Sequence, residues 1–329
     1  MRDIARKPGA ERRDLFQETA AAMRVHPAIA EKDFWVCWIL DYLFHDSPWK
    51  SHLLFKGGTS LSKAYGLIHR FSEDIDLVLD WRILGYGSAE PLEARSATQQ
   101  DRFGKEANRR AAAFLSESFA PVLRAVLPDR VTGALEVRVQ GENILIHYPK
   151  AFALEAIQPE VRLEIGPMAA WLPQTVRAIR PFAAEQFPDA FSQPATDVPT
   201  VAAERTFWEK ATILHQEAHR APEKPPPPRY SRHYYDLYRM GLAPVAEEAL
   251  RRIGLLRDVV AFKKRFYRSP WANYDAAQPG SLRLLPPAHH RRALTEDYRQ
   301  MQAMLFDAAP PFDGIEEGLA DLERRINGE

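Results

Sequence analysis

An α/β (α+β) protein, with a mixed β-sheet flanked by helices and then a mainly α-helical domain, is expected from three features of the chain. Short runs of strand length, apolar or alternating, recur in the first half at residues 52–56, 74–79, 135–148 and 161–165. Helical spacing separates several of them, as in layered sheet-and-helix folds. A proline-rich irregular stretch at 187–199 then interrupts the chain, and beyond it only helical patterns are found. The 329 residues suffice for two moderate domains, divided at 195: a sheet-bearing domain over 1–195 and a helical domain over 196–329.

Taken in order, residues 11–43 carry helical spacing, and 33–43 is apolar enough for a mostly buried helix. The run 52–56 is a strand stopped by Gly57-Gly58, with helical character over 59–67. Residues 74–79 alternate polar and apolar side chains and are rich in branched ones, which suits a second strand. Alanine-rich helical spacing covers 91–127. The alternating runs 135–139 and 144–148, joined at Gly141-Glu142-Asn143, read as a hairpin. In 161–165, Val161, Leu163 and Ile165 share one face and Arg162 and Glu164 the other, so the sheet has at least four strands. In the second half, Pro222 and Pro225-Pro226-Pro227-Pro228 form a stiff loop between two helices.

Composition narrows the function classes. Hydrophobic residues make up 46% and charged residues 27%, which places the chain among globular proteins rather than disordered or fibrous ones. No run of about 18 apolar residues is available to span a membrane. No apolar signal core follows Met1, so the expected location is the cytoplasm. The single cysteine, Cys37, lies in an apolar run; it rules out an internal disulfide and a cysteine metal cluster and reads as a core thiol. Forty-four basic residues balance 44 acidic ones, so any nucleic-acid contact must come from a local patch.

The chemistry concentrates at Asp74 and Asp76. Two apart on a strand, their carboxylates point to one face, where they can share or bridge divalent ions while Ile75 and Leu77 face the core. Glu164, the polar-face acid of an otherwise apolar strand, is the candidate third ligand. Such a pair by itself is more often a solvated face; the preceding turn gives it weight. Gly57 and Gly58 let backbone amides approach a phosphate, the following helix start adds unsatisfied donors and a favourable dipole, and Thr59 and Ser60 add hydroxyls. Magnesium, or manganese, held by carboxylates and substrate phosphates, is the matching cofactor.

The segment Phe55-Lys56-Gly57-Gly58-Thr59-Ser60-Leu61-Ser62-Lys63-Ala64-Tyr65-Gly66-Leu67, followed by Arg70-Phe71-Ser72-Glu73-Asp74-Ile75-Asp76-Leu77, resembles the first motif of the AbiEii/AbiGii toxin family. Residues 161–165, 204–211 and 231–237 continue the resemblance in the family's order, over roughly residues 30–240. It implies a nucleotidyltransferase-type fold of the DNA polymerase beta-like superfamily and a toxin of a toxin–antitoxin or phage-abortive system. The implied reaction moves a nucleoside monophosphate from an NTP to an RNA acceptor, with the tRNA 3′ end expected, and so blocks translation. It also implies a cognate antitoxin protein encoded nearby. By the same resemblance Asp74 and Asp76 hold metal, Ser72 and the Gly57-Gly58 turn hold the triphosphate, Lys210 contacts the nucleotide and Asp236 is needed for transfer. The chain departs from the wider superfamily in a longer glycine-to-aspartate spacing and in carrying Glu164 where aspartate is commoner.

Read from the residues alone, Lys210 sits among the apolar stripe of Phe207, Ala211, Leu214 and Ala218, so it leans inward; it either snorkels to water or meets a triphosphate. Asp236 follows Arg232 by four residues, which suits a helical salt bridge, or it accepts a proton or positions substrate. Arg70, Lys56 and Lys63 are further candidates for phosphate contact. The run Phe262-Lys263-Lys264-Arg265-Phe266-Tyr267-Arg268, with Trp271, and the run His289-His290-Arg291-Arg292 are candidate RNA patches or solvated faces. Two other readings stay open at this point. One is a kinase-like phosphotransferase, although no Gly-x-x-x-x-Gly-Lys-Ser/Thr loop is present; the other is a non-catalytic module that binds a nucleotide or a protein.

Overall fold

The computed structural model, which describes residues 1–155, 157–306 and 308–328, contains a seven-stranded mixed sheet. Its strands are β1 (Leu53–Lys56), β2 (Ile75–Leu79), β3 (Glu136–Gln140), β4 (Asn143–His147), β5 (Val161–Gly166), β6 (Gln174–Ile179) and β7 (Thr196–Val201), arranged β3-β4-β5-β2-β1-β7-β6. β1 is antiparallel to β2 and parallel to β7, β2 is parallel to β5, and the remaining neighbours are antiparallel. The helices of this region are α1 (Arg2–Ala5), α2 (Gly9–Met23), α3 (Pro27–Asp41), α4 (Gly57–Lys63), α5 (Ala97–Phe114), α6 (Ala120–Val126) and α7 (Phe182–Gln186). By its contacts the chain forms two units, residues 1–65 with 72–201 and residues 66–71 with 202–329.

In the first unit the expected helix over 11–43 is broken. Arg24 ends α2 in a left-handed conformation (φ 57°), and Pro27 opens α3 with the His26 ring accepting a hydrogen bond from the Ala28 amide. α3 is buried nearly all round, with Phe34, Trp35, Cys37 and Leu40 fully enclosed, so it forms the centre of the core. Packed in the same core are Leu53 and Phe55 of β1, Ile75 and Leu77 of β2, and Leu163 and Ile165 of β5. On the opposite side of these strands Leu54 and Val78 join a small second apolar cluster with Val201, and Lys56, Asp76, Arg162 and Glu164 make up a polar part of that face.

Three charged side chains on buried α3 each tie down a loop. Lys32, 0% exposed, bonds Glu73 Oε2 (3.2 Å) and the carbonyls of Gln158 (2.9 Å) and Glu160. Glu31 accepts from the amides of Ala151 and Phe152, and Asp33 from the amide of Phe182. Charges buried in this way are tolerated because each has partners. Glu73 also accepts from the Gln158 amide (3.1 Å), so the approaches to β2 and β5 are pinned to one lysine.

Two strands escape the sequence reading. β7 lies across part of the proline-rich stretch taken as a boundary, and β6 is an edge strand with mostly exposed side chains and no clean alternation. The helical pattern read from 91 begins at Ala97, where Ser96 and Gln99 form a capping box. The continuous helical stretch Ala97–Arg130 is long and apolar enough to cross a membrane by length and composition. Ala107, Ala111, Leu115, Phe119 and Leu123 on it nevertheless pack into the core, as a core helix does.

The second unit consists of α8 (Ala203–Ala218), α9 (Ser231–Gly241), α10 (Val245–Arg251), α11 (Gly254–Phe266), α12 (Ala288–Met301) and α13 (Phe312–Asn327), and the segment 66–71 pairs with it through a bridge from Arg70 to Leu305. The loop rich in proline separates α8 from α9, as expected.

Replacing Lys32 by Met would leave Glu73 buried without its cation and free two carbonyls. The variant is expected to lose about 3–5 kcal/mol of stability in urea unfolding; a loss under about 1 kcal/mol would show that the tie is dispensable.

Candidate active site

The polar face of the sheet brings Lys56, Asp76, Glu164 and Asn143 into one row, because Lys56 pairs with Asp76, Asp76 with Glu164 and Glu164 with Asn143 in the strand registers. Asp74 stands just before β2 and is half-buried. Burial, reinforced by Glu73 and Asp76, pushes the Asp74 carboxyl above the usual carboxylate range, although Arg162 opposes the shift. Glu164 is raised too, by burial and by the charges of Asp76 and Asp74, and it shares a hydrogen bond with Asp76. Asp74 and Glu164 are thus both raised beside the Asp76 carboxylate.

Gly57 is a geometric requirement of this arrangement. Its φ is +82°, and a β-carbon there would stand 1.9 Å from Asp76 Oδ2. The glycine begins α4, a helix of only seven residues, so the dipole expected behind the turn is that of a short helix. Thr59 and Ser60 correct the sequence reading. Both are fully buried, and their hydroxyls turn inward: Thr59 donates to the Asp74 carbonyl and shares a hydrogen bond with the Ser72 hydroxyl (2.9 Å), and Ser60 donates to the Gly57 carbonyl (2.8 Å). They hold the Gly57 turn and the Ser72–Asp74 segment in place; their side chains are not donors for phosphate. Ser72 Oγ is thereby positioned by Thr59, two residues from Asp74.

In the second unit Asp236, 0% exposed, accepts from Arg70 Nε (2.7 Å) and Nη2 (2.9 Å) and from Lys210 Nζ (2.6 Å). Arg232, the helical partner suggested by spacing, is not the one used. Burial alone would raise the Asp236 carboxyl, but Arg70 and Lys210 hold it far below the usual range. It is therefore a poor proton acceptor and a strong holder of cations. Lys210 is 7% exposed, leans inward as expected, and also lies 3.1 Å from His233 Nδ1. Arg70 and Lys210 thus converge on one carboxylate, and both carry N–H groups of the kind that bind phosphate oxygens.

The remaining candidates separate. Lys63 is buried against Asp33 (2.9 Å) over the Phe182 ring, which makes it a core ion pair rather than a phosphate contact. Lys263 donates to the Glu209 carbonyl, and Lys264 pairs with Asp275, which takes two charges from the first basic patch. His289 and His290 contact the Arg220 and Ala221 carbonyls, and Arg291 pairs with Asp313 and Glu316. Sequence reasoning missed the Lys32–Glu73 tie and the Arg70–Asp236 pair, since both link residues distant in the chain.

The hard oxygen donors of Asp74, Asp76 and Glu164 fit a divalent cation in their chemistry. Among the described residues, however, no three acidic or histidine side chains are already gathered as a cation cluster. The metal assignment thus rests on donor type and register.

A family profile described as "Nucleotidyl transferase AbiEii toxin, Type IV TA system" matches residues 38–320. Among solved structures, MenT4, a nucleotidyltransferase toxin from Mycobacterium tuberculosis H37Rv, aligns at 19% identity and a TM-score of 0.46, over 95% of this chain and 97% of that one. JHP933 from Helicobacter pylori aligns at 15% identity and a TM-score of 0.41, over 91% of this chain and 92% of that one. No curated protein matches.

A carboxyl raised on folding destabilises the folded state once the pH exceeds its ordinary value, and fully so above its raised value. Glu164→Gln is therefore expected to raise the melting temperature by roughly 1–3 °C at pH 7.5, with the gain fading toward pH 4. Magnesium or manganese should raise the melting temperature of the parent more than that of the variant; an equal or lower melting temperature for the variant at pH 7.5 would reject the repulsion. Asp236→Asn, which leaves Arg70 and Lys210 without their anion, is expected to lose about 3–5 kcal/mol in denaturant. Unchanged stability there would mean that the cluster does not need its carboxylate.

Proposed function

The chain belongs to the AbiEii family of type IV toxin nucleotidyltransferases, and from that premise we propose that it transfers a nucleoside monophosphate from an NTP to an RNA acceptor, the tRNA 3′ end, and so blocks translation. The observation that carries this reading is the in-register row of Asp76 and Glu164, with Asp74 beside it and Gly57 giving way to the Asp76 carboxylate. An acceptor hydroxyl oxygen bonds to the α-phosphorus, the bond from that phosphorus to the β-phosphate bridging oxygen breaks, pyrophosphate leaves, and the hydroxyl proton passes to water.

Asp74, Asp76 and Glu164 are assigned to hold magnesium or manganese, which when bound supplies Lewis acidity toward the acceptor hydroxyl and the departing pyrophosphate. Ser72, the Gly57-Gly58 turn with the backbone of Thr59 and Ser60, and Lys56 are assigned to the triphosphate. Arg70 and Lys210 are assigned to the nucleotide, and Asp236 to holding both cations in one geometry. Family membership also implies a cognate antitoxin as partner.

Incubation with magnesium, total tRNA and each α-labelled NTP is expected to label tRNA with one or two of the four nucleotides. Asp74→Ala should lower that labelling by at least about 10³-fold while remaining folded. Label found only in protein, or release of a nucleoside diphosphate in place of pyrophosphate, would overturn the assignment.

A further inference from the structure

On β5, Val161, Leu163 and Ile165 enter the core, so Arg162 and Glu164 occupy the polar face. The cross-strand neighbour of Arg162 on β4 is Leu145, and beyond Leu145 on β3 stands Arg138. Neither offers a carboxylate. Glu136, the acid nearest along β3, is engaged by Arg138 in a two-pronged pair of 2.7 Å bonds. On the other side are Asp74 and Glu164, whose charges Arg162 partly offsets.

An arginine that merely neutralised these acids would close onto one of them. Among the described residues Arg162 forms no ion pair, and its Nε is buried without a hydrogen-bond partner. A planar guanidinium left unsatisfied beside carboxylates assigned to metal is matched to one kind of group, a tetrahedral oxyanion able to take two parallel N–H bonds.

We propose that Arg162 is a substrate-binding residue that takes a phosphate oxygen pair, either from the backbone of the acceptor strand or from the triphosphate of the NTP. The acceptor strand is the favoured source, because the neighbouring polar positions on β3 and β4, Gln140, Asn143 and His147, continue the same face away from the glycine turn. His147 Nε2 is likewise buried without a partner there. The inference rests on the nucleotidyltransferase reading, yet it can be tested by binding alone.

The experiment measures RNA binding without NTP, NTP binding without RNA, and turnover for the parent, Arg162→Gln and Arg162→Lys, with melting curves confirming that each is folded. For the acceptor strand, Arg162→Gln should weaken RNA binding about 10-fold and flatten the slope of log affinity against log salt by about 0.7, with NTP binding unchanged and Arg162→Lys intermediate. Weakened NTP binding with unchanged RNA binding would support phosphate contact through the triphosphate. If both affinities stay within about twofold, even where turnover falls, the proposal is overturned and Arg162 acts only on the carboxylates. Absence of any transfer by the parent would overturn the reaction reading while leaving the binding comparison decisive for Arg162.

Discussion

The placing of Asp74, Asp76 and Glu164 side by side, by the parallel pairing of β2 with β5, is the constraint around which the first unit is arranged. Burial and neighbouring acids raise the Asp74 and Glu164 carboxyls, so the surrounding structure has to hold them in place. It does so by rigid means. Asp76 and Glu164 are fixed by the parallel pairing of β2 with β5, and Lys32 pins the approaches to both strands through Glu73 and the carbonyls of Gln158 and Glu160. Gly57 yields the space that the Asp76 carboxylate occupies. Stability is given up locally in favour of a site with concentrated negative charge, as at many functional centres.

The second unit solves the opposite problem. It buries two cations, Arg70 and Lys210, and brings both onto the Asp236 carboxylate, which is itself wholly enclosed. Removing the carboxylate from such a cluster would leave buried cations without a partner that they share. An aspartate in that setting fixes the positions of two cations and is poorly suited to accept a proton.

Much of this was legible in the chain. Alternation exposed β2, β5 and the β3–β4 hairpin, and the glycine pair marked the turn before α4, because period and turn chemistry are local properties. What was hidden depends on partners far along the chain. β6 shows no alternation because its side chains are largely solvent-facing, and β7 carries Pro199, which reads as a loop; it is accommodated in a strand whose register with β1 is limited to Phe55 and Thr200. Thr59 and Ser60 have the composition of phosphate donors, yet Thr59 is claimed by Ser72 and the Asp74 carbonyl. Asp236 had a plausible helical neighbour in Arg232, and only the fold reveals that Arg70 takes its place.

The membership of Gly66–Phe71 in the helical unit, while the residues on either side belong to the sheet-bearing one, bears on inheritance. Arg70 is encoded within the sheet-bearing half, whereas the carboxylate and lysine it serves are encoded well over a hundred codons downstream. A recombination event that exchanged only the downstream part between relatives would pair an arginine from one lineage with an aspartate and lysine from another. Neither part of the gene is thus a freely transferable module, and the polypeptide must be inherited as a whole.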